Sequence, residues 1–174
     1  SYNLFCQSCA RKTIYKFRNV ECVTAIDMCE NTTCSIINWN RAIAELDFYV
    51  VRPLHNISVH LELLKKDYAN QYKPFLVNSR FNLCDVILKR NFLVYGTIVW
   101  KTMQRFSNIN HSCPLTGHIY ARNMYFDESY IPNLPFGIYK MVFNFAENTF
   151  DQVQEVGVIS LYLEAMEEHQ TKKK

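Results

Sequence analysis

The stretch Ala44-Glu45-Leu46-Asp47-Phe48-Tyr49-Val50 alternates apolar with polar residues, turns through Arg52-Pro53-Leu54-His55, and resumes the alternation as Ile57-Ser58-Val59-His60-Leu61-Glu62-Leu63. In a strand successive side chains point to opposite faces, so Leu46, Phe48 and Val50 share one side with Glu45, Asp47 and Tyr49 opposite. The two segments therefore read as an antiparallel pair with one wet face, a pattern that parallel strands rarely show.

The same rhythm recurs in Tyr139, Met141, Phe143 and Phe145 and in Gly157, Ile159, Leu161 and Leu163. Further strands are expected at Ile14 to Val20, Thr33 to Trp39 and His118 to Tyr125, about seven in all. Between them the period changes. Leu83 and Ile87, then Phe92, Gly96, Val99, Met103 and Phe106, recur at three and four, which predicts helices over Leu83 to Lys89 and Phe92 to Phe106, with Asn82 as a cap for the first. Strands that are greasy on one face must pair those faces. The expected fold is mainly β: a two-sheet antiparallel, immunoglobulin-like β-sandwich with one or two short helices over an edge or open end.

Of 174 residues, 49% are hydrophobic and 20% charged, so the chain can form a core and disorder does not describe it. No internal repeat, low-complexity tract or linker interrupts it. The division expected is a Cys-containing arm at 1–12, the sandwich at 13–165 and a charged, disordered tail at 166–174. The net charge of +3 is matched by Lys172, Lys173 and Lys174 alone, so no concentrated basic face for nucleic acid is expected. No run of about 18 apolar residues is present to span a membrane. The chain opens at Ser1 without an initiator Met or a hydrophobic leader and reads as a mature or trimmed form.

Cysteines and sequons set the compartment. The cysteines are Cys6, Cys9, Cys22, Cys29, Cys34, Cys84 and Cys113, an odd number, so one thiol is free, bonded outside the chain, or linked to a partner. The most economical frame pairs Cys22 with Cys34 across an apparent hairpin and Cys84 with Cys113 across the helical segment. Cys29 is left to pair with Cys6 or Cys9. Cys6-x-x-Cys9 is half of a zinc hook, but Cys22, Cys29 and Cys34 do not supply the second close pair, and no metal or other cofactor is expected. Asn31, Asn56 and Asn110 head glycosylation sequons. A chain of this composition yields roughly two such triplets by chance, so the weight comes from their company with the cysteines. Together they point to a secreted, extracellular protein.

No catalytic constellation stands out. His55, His111 and His118 sit near turns, His60 lies on a wet strand face and His169 is in the tail, while no nucleophile elbow, metalloprotease helix or phosphate loop occurs. A non-enzyme is expected. The inward face of Leu46, Phe48, Val50, Val59, Leu61, Leu63, Met141, Phe143 and Phe145 is the candidate lining of an apolar pocket; the same residues would equally fill an ordinary core. At a pocket mouth, His60, Tyr95, Trp100 and Lys101 are the residues that would meet a head group.

Five blocks, Phe17-Arg18-Asn19-Val20-Glu21-Cys22, Cys34-Ser35-Ile36-Ile37-Asn38 with Arg41, Pro74-Phe75-Leu76 with Cys84, Asn108-Ile109-Asn110-His111-Ser112-Cys113-Pro114, and Leu134-Pro135-Phe136-Gly137-Ile138-Tyr139, occur in that order. Across about residues 13 to 163 the chain thereby resembles the secreted insect family that includes the CheB chemosensory proteins. The resemblance implies kinship with the ganglioside activator protein and the ML lipid-recognition superfamily, in which an immunoglobulin-like sandwich opens to hold a lipid. It also implies that Cys22, Cys34, Cys84 and Cys113 form the family's cysteine frame. The expectation that follows is a carrier of a lipid or other apolar small molecule, with a chemosensory, pheromone-related use. The alternative is an extracellular interaction module with a filled core, binding a protein receptor or a disulfide-linked partner. Cys6, Cys9 and Cys29 stand outside the family's pattern.

Overall fold

A computed structural model describes residues 12–38, 42–89, 94–130 and 133–168. The predicted arm with Cys6 and Cys9, together with Trp39, Arg41, Phe92, His169 and the terminal lysines, lies outside the described residues. Eight strands form two antiparallel sheets: β1 (Thr13–Thr24), β2 (Cys29–Asn38), β3 (Ile43–Leu54), β4 (Ile57–Lys66), β5 (Tyr72–Asn82), β6 (Leu115–Met124), β7 (Gly137–Asn148) and β8 (Val153–Glu167). The five-stranded sheet runs β1-β8-β7-β4-β5 and the three-stranded sheet runs β2-β3-β6. The chain is a β-sandwich, as the alternation predicts.

In β4 the alternation is complete, with Ile57, Val59, Leu61 and Leu63 buried and their neighbours half-exposed. β7 is in register beside it, Val59 opposite Phe145, Leu61 opposite Phe143 and Leu63 opposite Met141, so these apolar sets face the second sheet as one surface.

Three expectations about the strands need correction. β5 is a strand that the sequence reading missed. Pro74 removes a ladder donor, and Leu76, with φ near 60°, sits in a bulge where β5 has extra residues against Glu62 to Leu64. Proline and a bulge are tolerated because β5 is an edge strand. β3 continues through Pro53 to Leu54, since a second bulge between Val50 and Leu54 accommodates the proline. β8 runs to Glu167, opposite Thr13, so Met166 and Glu167, expected in the tail, belong to the sandwich.

The helices fall where the period changes. α1 (Leu83–Lys89) buries Leu83, Val86 and Ile87, and its first turn is capped by Asn82, whose Oδ1 accepts the Asp85 N–H at 3.0 Å. α2 (Val94–Phe106) packs on α1 and β6.

The two edges of the sandwich are closed differently. At one, β1 and β2 belong to opposite sheets, and the Cys22–Cys34 disulfide joins them with Cα atoms 6.1 Å apart. That bond is therefore a staple between sheets and not across a hairpin of one sheet. At the other edge the helices lie between β5 and β6, and Cys84 of α1 is bonded to Cys113 just before β6.

Candidate apolar binding site

Burial divides into two clusters. One gathers Val50, Ile57, Val59 and Val156 with Leu83, Ile87 and Trp100 of the helices; the other gathers Tyr15, Phe17, Leu46, Tyr139, Leu161 and Leu163 from strands. Phe143 packs against both. Between the sheets, drawing walls from both clusters, lies a cavity of about 310 Å³. All nine residues of the predicted inward face, Leu46, Phe48, Val50, Val59, Leu61, Leu63, Met141, Phe143 and Phe145, line it.

A third wall was not legible from strand alternation. Tyr95, Ile98, Val99, Thr102, Met103 and Phe106 also line the cavity, and on α2 they follow the three-and-four spacing of a single helix face. That helical period was the signal available for them. Of the residues expected at the mouth, Tyr95 lines the cavity, Trp100 is buried among the helices, and Lys101 is exposed with its Nζ 5.3 Å from the Tyr130 ring centroid. His60 is elsewhere: it lies on the outer face of β4, its Nε2 2.7 Å from Asn78 Oδ1 and 3.1 Å from Glu62 Oε1.

The cavity reaches solvent where its lining residues are exposed. Leu76 on the β5 bulge is 75% exposed, and Tyr125 just after β6 is 38% exposed. Asp127 and Tyr130 complete that rim. The Arg105 guanidinium bonds Asp127 Oδ2 at 2.7 Å and also bonds the Tyr125 hydroxyl, tying the end of α2 to the segment after β6. Asp127 accepts further bonds from the Ser129 hydroxyl at 2.6 Å and its N–H at 2.9 Å, and these, with Arg105, hold its carboxyl below the usual range.

The sequence blocks acquire roles near this site. Asn108 takes the place of a strand residue beside β6: its Nδ2 donates to the His118 carbonyl at 2.7 Å and its Oδ1 accepts the Tyr120 N–H at 3.0 Å. Ile109 is buried and Cys113 reaches Cys84, so this block clamps the end of the helical segment. In the last block the Tyr15 hydroxyl accepts the Leu134 N–H at 2.8 Å, and the Tyr139 hydroxyl donates to the Pro135 carbonyl at 2.6 Å. Gly137, at φ 151°, leads into β7, where an added Cβ would meet Lys65 Cε at 3.0 Å. Tyr139 is fully enclosed, and burial pushes its phenol up to about 12.

Cys29, expected as a disulfide half, is instead a free buried thiol among the described residues, and burial raises its pKa. Asn31, Asn56 and Asn110 are all exposed. His118 and Asp47 bond at 2.7 Å, with Arg122 on the other Asp47 oxygen at 2.5 Å, and Tyr49 stacks on His118 at 4.5 Å. By alternation with Leu46, Phe48 and Val50, this cluster faces away from the cavity. Arg122 leads the groups that hold Asp47 below the ordinary carboxylate range. Among the described residues no three His, Cys, Asp or Glu side chains are placed to hold a metal ion, and no helix is long and apolar enough to cross a membrane.

Residues 59–141 match a family model described as a protein of unknown function (DUF1091). The match spans just under half of the chain and runs from Val59 in β4 to Met141 in β7. It therefore takes in β5, both helices, the Cys84–Cys113 bond and β6, the whole of the helix-filled edge. No curated protein matches the chain.

Proposed function

We propose that this protein is a secreted, non-catalytic carrier that holds a lipid or other apolar small molecule between its two sheets. The observation that supports the reading is the apolar cavity itself. Close packing normally leaves few voids larger than a water molecule, whereas about 310 Å³ falls at the lower end of ligand-pocket volumes, roughly 300 to 1,000 Å³. Burying hydrocarbon there yields about 0.8 kcal/mol per methylene, so a dozen carbons supply about 10 kcal/mol before ordering costs. That is ample for affinity without a dense set of polar contacts.

Two disulfides suit an oxidising, extracellular setting. The resemblance to the secreted insect family that includes CheB proteins, and through it to the ML superfamily, adds the sandwich-held lipid and a chemosensory or pheromone-related use. A protein receptor would then read the loaded carrier. Organic extraction of the purified protein followed by mass spectrometry tests this: a stoichiometric apolar compound is expected. Protein free of lipid that also takes up neither fatty acid nor hydrocarbon would remove the proposal.

A second reading, a module for a protein partner, draws on the tips of two turns. Ile26 between β1 and β2 is 92% exposed, and Phe150 between β7 and β8 is fully exposed. Non-reducing electrophoresis separates the two: a covalent dimer without lipid favours the module, a lipid-bearing monomer the carrier.

A further inference from the structure

On the apolar-ligand reading above, the dimensions of the cavity and the charges at its rim restrict what it accepts. An apolar cavity of about 150 Å³ takes one benzene ring, so about 310 Å³ admits roughly a dozen carbons on the same scale. The space is long. Ile57 and Leu63 both line it from one strand, six residues apart, which is about 20 Å. About a dozen carbons use that length as one extended chain, and not as fused rings or as two chains side by side. Full extension over about 20 Å suits roughly 16 carbons at the zigzag rise of a 1.5 Å carbon–carbon bond.

Lys101 and Arg105 are four residues apart on α2 and so share one face. Lys101 Nζ stands 5.3 Å from the Tyr130 centroid and the Arg105 guanidinium carbon 4.8 Å from the Tyr125 centroid, and both tyrosine rings line the cavity. Among the described residues Asp127 is the sole acidic residue of the lining, and its oxygens are already engaged by Arg105 and Ser129. The neighbouring Glu128 is paired with Lys12 at 3.4 Å. Among the described residues, two cations against one carboxylate leave the rim one positive charge in excess.

We propose that the cavity takes a single-chain carboxylic acid of roughly 12 to 16 carbons, its tail between the sheets and its carboxylate at the rim against Lys101 and Arg105. Titration calorimetry of the full chain with tetradecanoic acid, its methyl ester, cholesterol and dioleoylphosphatidylcholine tests this. The acid should bind roughly five- to tenfold tighter than the ester, and Lys101→Gln should cut that ratio about two- to fivefold while Lys101→Arg preserves it, the range expected for partly exposed ion pairs. Equal affinities for acid and ester, or a ratio that Lys101→Gln leaves unchanged, would overturn the head-group assignment and leave the apolar-ligand reading standing. Tighter binding of cholesterol or the two-chain lipid would overturn the single-chain assignment alone. Failure of all four to bind would remove both readings.

Discussion

The two edges of this sandwich answer the same problem in opposite ways. Where β1 meets β2 the sheets come together directly, stapled by Cys22–Cys34, and the Thr24 and Thr32 hydroxyls bond each other at 2.6 Å across the join. Where β5 faces β6 the sheets are held apart by α1 and α2, and the Cys84–Cys113 bond ties the helices to the start of β6. The buried clusters divide along the same line, one drawn mainly from strands and the other including Leu83, Val86, Ile87 and Trp100 from the helices. Sheets stapled at both edges would zip shut to native packing density. A void persists because one edge is a wedge.

Opening the two disulfides separately is the largest test of that contrast. On the chain-entropy estimate, Cys84→Ala with Cys113→Ala should lower stability by about 3.5 kcal/mol, and Cys22→Ala with Cys34→Ala by about 3. Denaturant titration reads both. Uptake of a fluorescent fatty acid should fall mainly in the first pair, because only that bond holds the helical wall. Equal loss of uptake in both would break the comparison.

Tyr139 probes the cluster drawn mainly from strands. Its folded-state pKa of about 12 lies above the ordinary value of 10, so the neutral phenol is favoured in the folded protein. The contribution is fully present below pH 10 and is lost between about pH 10 and 12, amounting to about 2.5 kcal/mol. Thermal melts across that window should therefore fall more steeply for the native protein than for Tyr139→Phe. Parallel profiles would show that the phenol is not enclosed as described.

Next in size is Gly157→Ala, beside the closed edge. An added Cβ would meet the Val23 carbonyl oxygen at 2.8 Å, backbone that cannot move away cheaply, so a loss of about 2 kcal/mol is expected. A neutral result would mean that the β1–β8 pair yields more than its ladder suggests. The smallest effect belongs to the wedge: Asn82→Ala removes the α1 cap and should cost about 1 kcal/mol in urea unfolding. Loss of ligand retention beyond that stability change would tie the cap directly to the propped edge.

Much of the architecture is legible in the residues themselves. Alternation in β3, β4, β7 and β8 is a local property of consecutive residues, and it named both the sandwich and nine side chains that now line the cavity. The changed period over residues 83–106 located the helices for the same reason. β5 escaped because Pro74 and the exposed Leu76 spoil its pattern, and both are harmless only at a sheet edge, a fact about neighbours.

What the residues alone determined is therefore the list of elements and which face of each is greasy, since side-chain direction follows from backbone period. Tertiary structure decided how far apart those faces stand, that Cys22–Cys34 bridges two sheets, that Cys29 is a buried thiol among the described residues, and that α2 brings Lys101 and Arg105 to the tyrosines of the rim. Each of these depends on contacts between segments remote in sequence. The Arg18–Glu164 ion pair across β1 and β8, 146 residues apart, shows how little of that a local pattern can record.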